Sequence, residues 1–305
     1  MARLVLKSNL RILETPGEMA EVESLQAIVW PGDEREIVPV HLLLTAAHNG
    51  GLVIGAYAAE PLTEALQLVG FVFGFTGLYF TPDGPRAKHC SHMLGVHPDY
   101  RGQGLGFALK RAQWQIVRHQ GIDRITWTYD PLLSLNARLN ISHLGAVCNT
   151  YIRNAYGEMR DQLNAGLASD RFQVDWWVNS QRVNRRLSRA ARQPLDLAHY
   201  LAAGIEVINP TAIGPTGWPE PPSVDDRSLP GGDQADGRPL LMIEIPADFQ
   251  ALKAAEPDLA VNWRTHSRLL FEDLFMKGYL VTDFIYLSGS MPRSFYVLSY
   301  GESTL

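Results

Sequence analysis

The sequence predicts a mixed α/β (α+β) fold: a mostly antiparallel twisted sheet flanked by helices, with an α+β extension at the C-terminal end. Three observations predict it. Short apolar strands alternate with helical stretches in the order β-α-α-β-β-β-α-β-α-β-β through residue 178. The chain has 305 residues, more than one small domain needs, so two units or one domain with a large extension are expected. Hydrophobic residues make up 46% and charged residues 19%, which is enough apolar surface for a core and excludes a wholly disordered chain.

The elements follow in order. Residues 3–13 read as a strand. A helix spans about Glu18 to Val29 and is stopped by Trp30-Pro31-Gly32-Asp33. A second helix, Pro39 to His48, ends at Asn49-Gly50-Gly51. The runs from Leu52 and from Leu66 read as buried strands close enough to form a hairpin. His89–Val96 is a further strand, followed by a glycine-rich turn and a long helix from Gly104 to about Gln120. A strand over Ile122–Tyr129 is broken by Asp130-Pro131. A helix over Leu132–Leu144 ends at Gly145, and strands follow at 146–152 and 171–178.

Residues 179–195 read as a connector helix with Arg182, Arg185, Arg186, Arg189 and Arg192 on one face and Val183 and Leu187 opposite. A Pro/Gly-rich stretch extends over 209–239. The C-terminal part then offers a strand at 240–245, helices across 247–277 and strands at 279–287 and 294–300, a loose echo of residues 122–178. The expected organisation is a catalytic domain over 1–178, a connector and linker over 179–239, and an α+β subdomain over 240–305.

The net charge of −5 argues against generic nucleic-acid binding, although 179–195 carry five Arg and no acid. An Arg face for nucleic acid or an acidic partner stands as a minor alternative to a solvated connector or a neighbour of an anionic ligand's phosphates. Cys90 and Cys148 are too few for a disulfide framework or a metal site, so no metal is expected. The longest apolar stretch is interrupted by Gly70, Gly74 and Gly77, and the first residues lack an apolar leader pattern. A cytoplasmic location without membrane or nucleic-acid partners is the expectation, with homodimerisation left open.

Chemistry concentrates in the run from His92 to Lys110, which reads His-Met-Leu-Gly-Val-His-Pro-Asp-Tyr-Arg-Gly-Gln-Gly-Leu-Gly-Phe-Ala-Leu-Lys. A strand ends at Val96, a Pro98 turn follows, and Gly102, Gly104 and Gly106 open a helix. Such a turn lets the backbone approach a pyrophosphate, while the N–H groups of the first helical turn and the helix dipole favour its charge. The dinucleotide fingerprint fails because position 107 is Phe, and the P-loop fails because no Gly-Lys-Ser/Thr follows.

Arg101, Gly104 and Gly106, between a His-Pro turn and Phe-Ala-Leu, resemble the acyl-CoA signature of the GNAT N-acetyltransferase superfamily. The resemblance covers residues 3–178, and it implies the following. Backbone N–H groups of Gln103, Gly104, Gly106 and Phe107 hold the CoA pyrophosphate in a loop that includes Gly102 and Leu105. Arg101 orients that loop. Leu94, Gly95 and Val96 pair with the pantetheine arm as an added strand, and their strand splays from Ile125–Tyr129 to admit the thioester. Asn136 matches a pantetheine-contacting position, with a shorter spacing to Gly145 than the family shows.

The reaction so implied moves an acetyl or other acyl group from acyl-CoA to an amine by direct attack on the thioester. The amine must lose a proton, and the oxyanion wants a backbone donor such as the N–H near Val96. Where relatives place a thiolate-protonating Tyr, this chain has Ile141. The candidates are His92 as base, against a histidine satisfied in the sheet; Asp130 as base, against a turn residue before Pro131; and Tyr129 as acid, against a core aromatic. Arg153, Arg160 and Arg171 are candidates to clamp a substrate carboxylate, against surface ion pairs with neighbouring acids. The Trp127-Thr-Tyr-Asp-Pro-Leu and Asn154-Ala-Tyr-Gly-Glu-Met segments resemble a less-studied branch in which some members are thought to acylate amino acids, including by N-succinylation. The expected acceptor is therefore a small-molecule amine. The alternative is a non-catalytic acyl-CoA-binding or interaction protein.

Overall fold

Strand β1 (Asn9–Ile12) lies at the edge of an antiparallel run with β2 (Leu52–Ala59), β3 (Leu66–Thr81) and β4 (Gly84–Val96). Strand β5 (Arg124–Tyr129) adds parallel to β4. The computed structural model describes residues 9–32, 36–59, 65–159, 166–188, 195–222 and 240–301. The beginning of the expected 3–13 strand, Arg160, Arg189, Arg192 and the 223–239 stretch lie outside these residues.

Helix α1 (Pro16–Val29) starts in a capping box: the Thr15 side chain accepts from the Glu18 N–H, and the Glu18 carboxylate accepts from the Thr15 N–H. Its buried Met19, Val22 and Leu25 pack with α2 (Val40–His48) on the sheet face that carries Val53, Tyr57, Phe71 and Phe73. Helix α3 (Leu105–His119) covers the opposite face, where Leu105 and Leu109 meet Ile54, Ala56, Val69 and Val72. Strand alternation sends consecutive β2 and β3 residues to these two cores, so both strands are buried on both sides.

The chain forms two compact units. One holds the described residues up to Trp127 together with Trp177–Asn179; the other begins at Thr128 and holds the rest. This division runs across the expected 1–178 segment. Strand β6 (Val147–Ile152) pairs with β7 (Arg171–Trp177) on one side and with β11 (Tyr279–Leu287) on the other. Strand β12 (Arg293–Tyr300) returns antiparallel to β11 and also pairs with β10 (Leu240–Ile245). The strand order in the second unit is β7-β6-β11-β12-β10, two hairpins set back to back across the β6–β11 contact. Helix α8 (Pro257–Met276) contributes Phe271 to this unit's core, its ring centroid 4.7 Å from Phe172.

Two helical expectations change. The 132–144 stretch forms a short α4 (Ser134–Ala137) that passes into a π-helical segment, Arg138–His143. The connector helix is shorter than 179–195: α5 spans Gln181–Leu187 and stops at Ser188. Its arginines are not a solvated face either. Arg182 donates to the carbonyls of Gly145 and Thr282, and Arg186 pairs with Asp283 at 2.6 Å. Two bare carbonyls and one carboxylate draw these side chains inward, leaving Arg185 exposed. Short helices α6 (Leu197–Ala202) and α7 (Phe249–Ala255) complete the second unit, with a small ribbon of β8 (Ala212–Ile213) and β9 (Pro219–Glu220).

Candidate functional site

The glycine loop takes the expected form. A 3₁₀ turn at Pro98–Tyr100 follows β4, with the His97 N–H bonded back to the Val69 carbonyl at 2.9 Å. Arg101 Nε donates to the Val96 carbonyl at 3.2 Å, and Gln103 Nε2 donates to the Asp99 carbonyl at 3.2 Å, so both side chains brace the loop. Gly102 and Gly104 adopt φ of +74° and +85°, which only glycine enters without strain. A Cβ at either position would meet nothing within 4 Å, so the backbone stands open on that side. Gly104 caps α3 without a side-chain bond; Leu105, Gly106 and Phe107 form the first turn. The residues present therefore fit an anionic ligand at the start of the helix.

Strand β4 leaves its parallel neighbour early. The β4–β5 ladder consists of His89↔Ile125 and Cys90↔Thr126, whereas β4 stays paired with β3 as far as Val96. The strands fork after Cys90 and Thr126. Ser91 and Trp127 are the first residues beyond the ladder, and Leu94, Gly95 and Val96 lie further along the β4 arm. Gly95 answers to packing as well, since a Cβ there would fall 2.6 Å from the Phe71 ring.

His92 occupies a β-bulge. Ser91 pairs with Gly74 and Met93 with Phe73, so His92 is the extra residue, set against the Phe73 and Phe75 rings at 5.8 and 6.0 Å. Partial burial lowers its pKa, which favours the neutral, proton-accepting imidazole. The bulge also re-phases the strand, because Ser91 and then Leu94 and Val96 all meet α3. Sequence alternation alone gave no sign of it.

A second group at the fork went unsingled in the sequence. Lys110 of α3 is buried, donates to Ser91 Oγ at 2.7 Å and to Gln113 Oε1 at 3.3 Å, and stands 3.8 Å from the centroid of the Trp127 ring. Burial pushes its pKa down to about 7. Gln113 Nε2 bonds His89 Nε2 at 3.1 Å, and burial followed by the Lys110 charge pushes His89 down to about 3. The one available signal was a lysine three residues from Gln113 and four from Trp114 on a helix whose apolar stripe is narrow.

The other candidates fall in the second unit, with their polar ends engaged. Tyr129 is buried, its hydroxyl 3.1 Å from that of Tyr296, which itself donates to the Pro131 carbonyl at 2.7 Å. Tyr129 is thus the donor to Tyr296, and burial holds its pKa well above that of a free phenol. Asp130 receives both terminal nitrogens of Arg264, one at 2.9 Å, and the Leu132 N–H at 2.9 Å. Asn136 is exposed on α4, and Ile141 is buried in the π segment. The four-residue count back from Gly145 presumed α spacing, which a π turn breaks. Of the arginine clamp, Arg153 is held by both carboxylate oxygens of Glu272 and Arg171 lies 4.0 Å from Asp130. Arg160 lies outside the described residues. Among the described residues no cluster of His, Cys, Asp or Glu could hold a metal ion, and no helix is long and apolar enough to cross a membrane.

Residues 25–138 match the family model described as Acetyltransferase (GNAT) family. No curated protein matches the chain. Solved structures that align with the chain include Arabidopsis thaliana NAA60 in complex with acetyl-CoA, at 14% identity over 56% of this chain and 99% of that one, TM-score 0.45. Ard1 from Thermoplasma volcanium aligns at 16% identity over 57% and 99%, TM-score 0.42. The Escherichia coli GNAT family N-acetyltransferase YhbS in complex with CoA aligns at 20% identity over 45% and 69%, TM-score 0.35.

Proposed function

We propose, from the membership of residues 25–138 in the GNAT acetyltransferase family, that this chain moves an acyl group from acyl-CoA to the amine of a small molecule. The acyl group is acetyl or a longer acyl such as succinyl, and the acceptor class favoured by the sequence is an amino acid. The observation that carries the reading is the pairing of an open, glycine-capped helix start with a strand that forks from its neighbour after two residue pairs. In this reading Arg101 orients the loop that includes Gly102 and Leu105, and the backbone N–H groups of Gln103, Gly104, Gly106 and Phe107 receive the pyrophosphate. Leu94, Gly95 and Val96 give the pantetheine an edge to pair with, while Asn136 is its candidate contact from α4. Residues 1–178 would form the catalytic segment and 240–305 its extension.

The chemistry follows from the groups at the fork. The acceptor must be a neutral amine, and His92 at the bulge is the candidate to take its proton. The oxyanion is met by a backbone N–H of the β4 arm. Tyr129 and Asp130 remain candidates only if substrate displaces Tyr296 or Arg264 from them.

Titration calorimetry with CoA, followed by thiol-release assays with acyl-CoAs and an amine panel, tests this. Binding with turnover supports transfer. Binding without turnover on any pair supports the second reading, a non-catalytic acyl-CoA-binding protein, which Ile141 in place of the usual acid and the committed Tyr129 proton favour. No CoA binding overturns both.

A further inference from the structure

We propose that Lys110 is the acid that returns a proton to the departing CoA thiolate, through the N–H that lies over the Trp127 ring. This rests on the acyltransferase reading above.

The geometry starts from the fork. Ser91 on β4 and Trp127 on β5 are the first residues past the paired positions, and Lys110 reaches both from α3. Its nitrogen therefore stands at the vertex, bridging the two arms where they part. A lysine ammonium has three donors. Here two go to the oxygens of Ser91 and Gln113, and the third faces the indole. Of these three, the bond to the ring is the weakest, and it is the one on the arm that opens.

The surrounding hydrogen bonds all run one way. Neutral His89 accepts from Gln113 Nε2, which turns Gln113 Oε1 toward Ser91 and Lys110. The Ser91 hydroxyl donates to that oxygen at 3.0 Å, so its lone pairs are left for Lys110. The neutral His89 ring then carries its own proton on Nδ1, a buried atom without a hydrogen-bond partner, and Lys110 is the cation of the cluster. His89 of β4 is the titratable group that couples to it. On the neighbouring elements, Asp123 is bound by Tyr79, Arg124 lies over Tyr79 and Trp177, and Arg118 lies over Trp114. Among the described residues no carboxylate pairs with the ammonium, as Asp130 pairs with Arg264 in the second unit.

The step balances. The carbon–sulfur bond of the tetrahedral intermediate breaks and its electron pair goes to sulfur. One N–H bond of Lys110 breaks as the S–H bond forms, leaving CoA thiol and a neutral lysine. The acceptor nitrogen sheds one proton on becoming an amide, and that proton restores the ammonium. An ammonium that titrates near 7 is a stronger acid than a thiol of ordinary pKa ~8.5, so the transfer runs downhill.

The test pairs kinetics with spectroscopy on the full chain. In the wild type, kcat falls as pH rises through the Lys110 titration. Lys110→Met is expected to lower kcat by ~10²-fold or more, to lose that alkaline limb, and to change CoA affinity less than ~3-fold. Side-chain NMR of Lys110 in the wild type is then titrated with CoA and with desulfo-CoA. CoA is expected to shift its resonance and titration midpoint, and desulfo-CoA to leave them unmoved. An unchanged kcat and pH limb in Lys110→Met, or equal responses to the two ligands, overturns the proposal. Should Lys110→Met fail to fold, or the wild type bind CoA without turning over, the NMR comparison still decides whether Lys110 meets the sulfur. No CoA binding at all would sink the acyltransferase reading instead.

Discussion

The two units each bury a polar cluster, and the two clusters handle charge in opposite ways. In the first unit, a lysine is surrounded by a serine, a glutamine and an indole, none of them charged. In the second, Asp130 faces Arg264 through two parallel bonds, and Tyr129 and Tyr296 pass their protons along to the Pro131 carbonyl. Both are buried. The matched pair fixes its charges in place, whereas the unmatched cation keeps a proton it can lose. Burial alone does not make a reactive group; the partners set whether burial stabilises a charge or loosens a proton.

The sharpest way to break this contrast is to unmatch the matched cluster. Arg264→Met leaves the buried Asp130 with the Leu132 N–H and with Arg171 4.0 Å away, and is expected to cost about 3 kcal/mol in urea unfolding. A loss under ~1 kcal/mol would mean that water reaches Asp130 and that the two clusters differ less than their geometry suggests.

The second test is a pH slope. Folded Lys110 titrates near 7 and the free side chain at 10.5. Between those values the unfolded chain binds a proton that the folded chain lacks, so this contribution to stability grows as pH rises from 7 toward 10 and is lost as pH falls back. Lys110→Met removes it. The stability of the wild type minus that of the variant should therefore rise from pH 7 to 9.5, and a constant difference would show a lysine charged throughout.

Crowding the first cluster gives a smaller effect. A Cβ at Gly74 would lie 2.2 Å from His89 Nε2 and 2.8 Å from the Cys90 carbonyl. Gly74→Ala should cost about 1–3 kcal/mol and displace His89, visible as a changed Lys110 titration. The smallest effect belongs to Tyr129→Phe, which deletes one hydrogen bond at ~1 kcal/mol. Its turnover should be close to wild type, since the hydroxyl proton already serves Tyr296. A hundredfold loss would return Tyr129 to the chemistry.

Much of the first unit was legible in the sequence. The helix read from about Glu18 to Val29 and its stop at Trp30-Pro31 were there in the residues, and Gly102 and Gly104 announce backbone that only glycine adopts readily. These signals are local, and so the sequence can carry them. The bulge at His92 was not legible, because it exists only as a mismatch of register with β3. The Asp130–Arg264 pair joins residues 134 positions apart, and nothing in the Asp130-Pro131 turn foretells it. The arginines of α5 looked like one solvated face, yet Arg182 and Arg186 turn to groups on distant strands.

The sequence by itself set out most of the strands, the first helices and the glycine loop, because backbone conformation and helix starts are settled within a few residues. Only the tertiary structure decided which side chains lose water and what they meet when they do. Lys110 in a list of residues is an ordinary helical cation. Placed at the fork, with Ser91 and Gln113 on two of its donors and Trp127 across the third, it becomes a buried cation without a charged partner among the described residues.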